Sequence, residues 1–311
     1  MPDPLASNPK ITPGSMALPA LMVVATGVIY PLVFSFTKIA TDAGAPPFGF
    51  VFWQLTFAGI VLGAVALVRR EWPRFSARHV RSYAAIGMLG IVGPISLLAF
   101  VSNKLPAGLV TLVVVLAPLF TYVFAIALRL DRLRALSIAG IAVGFGGVLL
   151  MTVPKVSLPA PEMIGWLLLA FLAPVSFALT NVTASLMRPP ASSSVSMASG
   201  MVMVTIVIMA VVSLATGQAY ALPGPGPALW AALATAAVNA AFYISFFEIV
   251  RLAGPVFFAQ FNYLVVLAGF GWGAVFFGES HSVYVWGAAA LMLIGLALHS
   301  LGLSRAARNA T

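Results

Sequence analysis

The residues able to do chemistry in this chain are few, and they gather on two matching stretches. Tyr30-Pro31-x-x-Phe34-x-x-Thr37-Lys38 is echoed 143 residues later by Ala173-Pro174-x-x-Phe177-x-x-Thr180-Asn181, and Pro46-Pro47 meets Pro189-Pro190 at the same offset. Each copy lies in a long apolar run. An interior proline removes one backbone hydrogen bond and strips the carbonyl four residues earlier of its donor, here Gly27 and Ala170. Hydroxyl, amide and ammonium groups follow within two turns. Such groups hold a solute by hydrogen bonds and charge; they do not form a nucleophile with its base.

Other polar residues in apolar runs extend the set. Asn239 and Tyr243 are four apart and share a helix face, as do Gln260 and Tyr263, three apart. Gln260 and Asn262 project roughly 200° apart, so one cavity cannot take both. Aromatic rings cluster on the same segments: Tyr30, Phe34, Phe100, Phe177, Phe246 and Tyr263, with Trp166, Phe242, Phe257 and Phe261 beside them. Aromatic walls with a few placed polar groups describe a small-molecule site. Without a fixed central charge, the site suits a neutral or zwitterionic solute with an apolar side chain. Each residue also has a plain structural reading: an intramembrane amide bonds a neighbouring helix for about 0.6 kcal/mol, and a ring faces lipid or a packing partner. Pro31 and Pro174, with Pro94 and Pro118, are candidate hinges or ordinary kinks.

The charges exclude as much as they suggest. No apolar run carries a carboxylate near its centre, and His79, His281 and His299 all lie off-centre. Proton relays in membranes are built from intramembrane acids and histidines, so a facilitative carrier or a weakly coupled exchanger is expected. Glu248 pairs with Arg251 at i,i+3 and is the best candidate should protons be coupled. Asp131 and Glu279 stand between helices and are expected to cap the helix that follows each. Two readings fit Lys38: attraction of a solute carboxylate, or a stem that snorkels to the interface. With no cysteine, no metal-spaced histidine pair, no Gly-x-Ser-x-Gly turn and no phosphate-cradling glycine loop, neither an enzyme nor a metal or other cofactor is expected.

The elements that would position these residues follow from composition. The 311 residues are 61% hydrophobic and 7% charged, with mean hydropathy +1.07; a soluble domain carries about 25% charged residues. Crossing a bilayer takes about 20 apolar residues. Ten segments qualify: Ala17–Ala40, Pro47–Val68, Tyr83–Ser102, Leu105–Leu128, Ala135–Val153, Met163–Met187, Val195–Thr216, Pro227–Val250, Gly254–Phe277 and Val283–Leu303. With both termini inside, 13 of the 16 Lys and Arg residues fall on the cytoplasmic side and only Lys38, Lys104 and Lys155 outside, the bias that sets orientation. The net charge of +9 therefore reads as topology, with no nucleic-acid partner. Residues 1–16 form a polar tail without the pattern of a cleaved signal peptide, and 304–311 a second tail. Five spans per half is odd, so 17–155 and 161–303 are expected to be inverted repeats.

In this layout the chain resembles the drug/metabolite transporter superfamily, in its ten-helix EamA-type branch. The resemblance rests on the repeated Pro/Phe/Thr pattern, Leu116-Ala117-Pro118 in the fourth span, and acidic residues after the fourth and ninth (Asp131-Arg132 and Gly278-Glu279). Glycine-rich fifth and tenth spans, Gly140-x3-Gly144-x-Gly146-Gly147 and Gly287-x7-Gly295, complete it. It implies an all-α integral membrane protein working by alternating access in a bacterial inner membrane, as a monomer or weak homodimer. The branch it most resembles exports amino acids, particularly aromatic ones. Export of drugs or of another metabolite stays open, as does a non-transporting scaffold or sensor.

Overall fold

The computed structural model describes residues 17–129, 133–152, 162–187, 189, 192–258 and 261–309, with backbone alone for some, Phe246 and Tyr263 among them. Among the described residues the regular structure is entirely helical: α1 (Ala17–Ile29), α2 (Leu32–Asp42), α3 (Pro47–Val68), α4 (Ala77–Gly87), a π-helical turn (Met88–Val92), α5 (Gly93–Val101), α6 (Ala107–Val114), α7 (Ala117–Ala127), α8 (Ala135–Thr152), α9 (Met163–Ala170), α10 (Leu172–Met187), α11 (Ser194–Ala215), α12 (Ala228–Phe258), α13 (Phe261–Phe277) and α14 (Val283–Asn309). Among the described residues, eight helical stretches are long and apolar enough to cross a membrane, and two shorter apolar helices cover Ala135–Leu150 and Leu264–Phe277. This is an all-α integral membrane fold. In lipid a helix satisfies every backbone polar group within itself, which is why apolar runs of this length fold this way.

The four prolines singled out from sequence all stand where an apolar run starts a new helical segment. Pro31 directly precedes α2, Pro94 is the second residue of α5 after the π turn, Pro118 is the second of α7, and Pro174 is the third of α10. A proline costs nothing in the first turn of a helix, where its missing N–H has no intrahelical partner anyway. Each run therefore breaks just ahead of its proline. Ser176 Oγ repairs one break by donating to the Leu89 carbonyl inside the π turn (2.6 Å).

Glycines of the fifth and tenth spans let two helices pack closely. A Cβ on Gly140 would collide with the Gly295 carbonyl, and one on Gly295 would lie 2.5 Å from the Gly140 carbonyl. Helices α8 and α14 thus meet backbone to backbone, the close approach that small residues allow between membrane helices. One boundary differs from the sequence reading. A loop was expected around Arg251, yet α12 runs on through it to Phe258 and α13 starts at Phe261. Charge and one glycine suggested a loop, but Arg251, Leu252 and Ala253 are good helix formers and carry the helix on.

Candidate functional site

The two kinked stretches converge on one cleft. Tyr30, Val33, Phe34, Thr37 and Lys38 come from the first, Phe177 from the second. Ile95, Leu98, Ala99 and Ser102 from α5 and its end, and Ala107 and Val110 from α6, close the sides. The cleft holds about 470 Å³ of empty space, counting the part open to the surface. Its enclosed part has room for on the order of one water molecule. The helices stand closed around it.

Its ends differ in chemistry. At one end Tyr30 meets a ring cluster: Phe242 at 4.3 Å, Phe261 at 5.5 Å and Phe34 edge-on at 6.1 Å between centroids. At the other, Lys38 Nζ lies 3.1 Å from the Asp42 carboxylate, donates to the Ser102 carbonyl (3.2 Å) and sits 5.3 Å over the Phe277 ring. The Thr41 and Ser102 hydroxyls bond at 2.7 Å, tying α2 to the end of α5. The ammonium is thus held in the cleft wall, with Asp42 as the competitor for any solute carboxylate. Thr37 and Thr180 behave alike, each donating back to the carbonyl four residues earlier (Val33, 2.7 Å; Ser176, 2.9 Å).

Other candidates are placed elsewhere. Phe100 is 42% exposed and packs edge-on against Trp166, away from the cleft. Asn181 is exposed and donates to Thr121 Oγ1 (3.0 Å), joining α10 to α7. Asn239 is buried on α12, and Tyr243 packs its ring on Phe242 at 5.5 Å. Glu248 lies half-buried near the far end of α12. Gln260, Asp131 and the side chains of Phe246, Tyr263 and Arg251 lie outside the described residues.

Glu279 does not cap the helix that follows it. Its carboxylate accepts hydrogen bonds from the Ala107 and Gly108 N–H groups (2.6 and 3.1 Å), capping α6. Gly278, at φ +61°, turns the chain back over the bundle. Gly273 and Gly108 lack the Cβ atoms that would occupy the space of Glu279 and His281. Ser282 caps α14 instead, accepting from the Val285 N–H (3.4 Å). Two further contacts escaped sequence reasoning: the Asp42 partner of Lys38, four residues on, and Trp272, whose indole N–H donates to the Val28 carbonyl (2.7 Å). The first was legible as an i,i+4 acid–base spacing; nothing in sequence marked the second.

Helices broken at prolines around a small apolar cleft, in an all-α integral membrane fold, can be set beside known membrane proteins. Residues 17–153 match the EamA-like transporter family, so this stretch is similar to an EamA-like transporter unit. Two WAT1-related proteins of Arabidopsis thaliana are similar: one is 28% identical over 145 residues, 44% of this chain and 40% of that protein, the other 32% identical over 114 residues, 36% and 32%. The matched stretch thus spans two fifths or less of each relative's length. A crystal structure superimposes on 93% of this chain and 98% of its own at 20% identity, with a TM-score of 0.61, a likeness of fold.

Proposed function

We propose that the whole chain is a secondary transporter that exports small neutral or zwitterionic metabolites, foremost aromatic amino acids. Its halves act as inverted five-helix repeats crossing ten times, in a bacterial inner membrane with both termini cytoplasmic, and they rock between inward- and outward-facing states. The observation that carries this reading is the cleft itself. Rings at one end match an apolar side chain, an ammonium at the other matches a carboxylate, and the helices that form it are jointed at prolines. A cationic drug finds no unpaired carboxylate among the described cleft residues.

Counterflow in proteoliposomes tests it. With unlabelled amino acids inside, labelled Phe or Trp is expected to accumulate and Lys to be left behind. No accumulation of any amino acid by folded protein would remove the cargo assignment. Accumulation of none of a wider metabolite and drug panel would favour the scaffold reading.

A further inference from the structure

The cleft wall contributed by α6 is held by a contact that no transport step has yet used. Glu279 reaches from the loop between α13 and α14 to the first two N–H groups of α6, the segment that brings Ala107 and Val110 to the cleft. His281 lies behind the carboxylate with Nε2 3.7 Å from Oε2, beyond hydrogen-bond range. Both side chains are nearly enclosed, 8% exposed for Glu279 and 6% for His281. The imidazole packs at a tilt against Phe270, 4.6 Å between centroids, and Phe270 meets Trp286 edge-on at 4.9 Å. Its Nε2 is buried without a hydrogen-bond partner.

We propose that Glu279 and His281 form a proton-released clasp on the outer end of the transport path, closed in this structure and opened when His281 takes up a proton. The proposal rests on the transporter reading. The proton comes from the aqueous phase on that face and adds to the free ring nitrogen, taking the pair from one negative charge to none. Among the described residues, Glu279 is the charged group facing His281; the α6 backbone at Gly108 and the rings of α13 and α14 complete its surroundings.

Enclosure among rings disfavours an imidazolium, and the Glu279 charge offsets this only in part, so His281 is lowered from its ordinary value. A proton therefore binds more weakly to the closed clasp than to a histidine in water. The closed state keeps its full advantage above about pH 6.5, the value of an exposed histidine. That advantage falls as the pH drops toward the lowered value of the closed state. Acid on the outer face thus favours opening, and frees α6 to leave the cleft.

Accessibility labelling reads this without any cargo. The chain has no cysteine, so a single Ala99→Cys reports opening of the cleft. Its labelling rate by an impermeant maleimide is divided by that of Ala221→Cys in an exposed loop, which cancels thiol ionisation. On outer acidification from about pH 7.5 to about pH 5.5 the ratio is expected to rise, by up to about tenfold per pKa unit separating the two states. His281→Gln should flatten this pH profile while the protein stays folded, and Glu279→Gln should raise the ratio at every pH. A pH dependence that survives in His281→Gln overturns the proposal, as does a ratio unmoved in Glu279→Gln. A failed cargo assignment would leave this readout intact, so the two ideas fall separately.

Discussion

The two proline-broken stretches share a sequence pattern and differ in what they deliver. Both break ahead of the proline, at Tyr30-Pro31 and at Phe171, and both send a phenylalanine to the cleft, Phe34 and Phe177. The first also brings an ammonium into the cleft wall, while its counterpart Asn181 is exposed and spent on Thr121. Upstream of the break, Gly27 lets α1 approach α13, and the matching Ala170 is a buried alanine. The two stretches share the joint; the ammonium in the cleft wall belongs to the first alone.

The largest effect expected from testing that contrast is at Gly27. A Cβ there would lie 2.6 Å from Leu264 Cβ, so Gly27→Val must push α1 off α13 and part the Tyr30, Phe242 and Phe261 rings. Overpacking of this kind costs about 1–3 kcal/mol, and transport should fall with it. Ala170→Gly in the other copy should cost about 1 kcal/mol or less, the helix-propensity difference. Thermal unfolding in detergent compares the two. Equal small losses would mean that the close approach at Gly27 is not real.

Next comes Lys38. Hydrogen bonds to a charged group contribute about 1.5–3 kcal/mol, so Lys38→Gln should raise KM for a zwitterionic amino acid about tenfold or more. Its effect on the decarboxylated amine should be small. Asp42→Asn sharpens the test, because removing the competitor 3.1 Å from the ammonium should lower KM. If both variants leave KM unmoved while stability changes, Lys38 only fastens α2 to α5.

A smaller effect belongs to Trp272→Phe. The kink leaves the Val28 carbonyl near a break, and the indole N–H satisfies it at 2.7 Å. Losing a neutral bond of this kind costs about 0.5–1.5 kcal/mol. The variant should lower Tm slightly and loosen the first joint only. No change in Tm would show that the carbonyl finds another donor.

These cases mark where sequence reading stopped. The helical membrane fold was legible because apolar runs of bilayer length can do little else. The breaks were legible because a proline forces them. Tyr30, Phe34, Lys38 and Phe177, picked out by the matched pattern, line one cleft in the structure. Phe100 and Asn181 lie away from that cleft, since period and offset say which residues match but not which way a helix is rotated in the bundle. Glu279 shows a further limit. A carboxylate between two helices suggests a local cap, and only the fold of the Gly278 turn reveals that the helix it caps is 172 residues away in sequence. The end of α12 was missed for a related reason: Arg251 followed by Gly254-Pro255 reads as a boundary, yet the helix runs through all three to Phe258.

The smallest expected effect is at Asn181, and it bears most directly on whether the two copies are equivalent. Its amide bonds Thr121 across α10 and α7, and interhelical bonds of this type contribute about 0.6 kcal/mol on average. Asn181→Ala should therefore lower Tm marginally and leave KM within about twofold. Combined with Thr121→Val it should cost little more than either alone, because each change removes the same bond. An additive pair would mean the bond contributes nothing. A KM raised as far as in Lys38→Gln, with Tm unchanged, would instead make Asn181 a cargo ligand. The second joint would then carry its own polar group to the solute, and the contrast between the copies would have to be abandoned in favour of two matched half-sites.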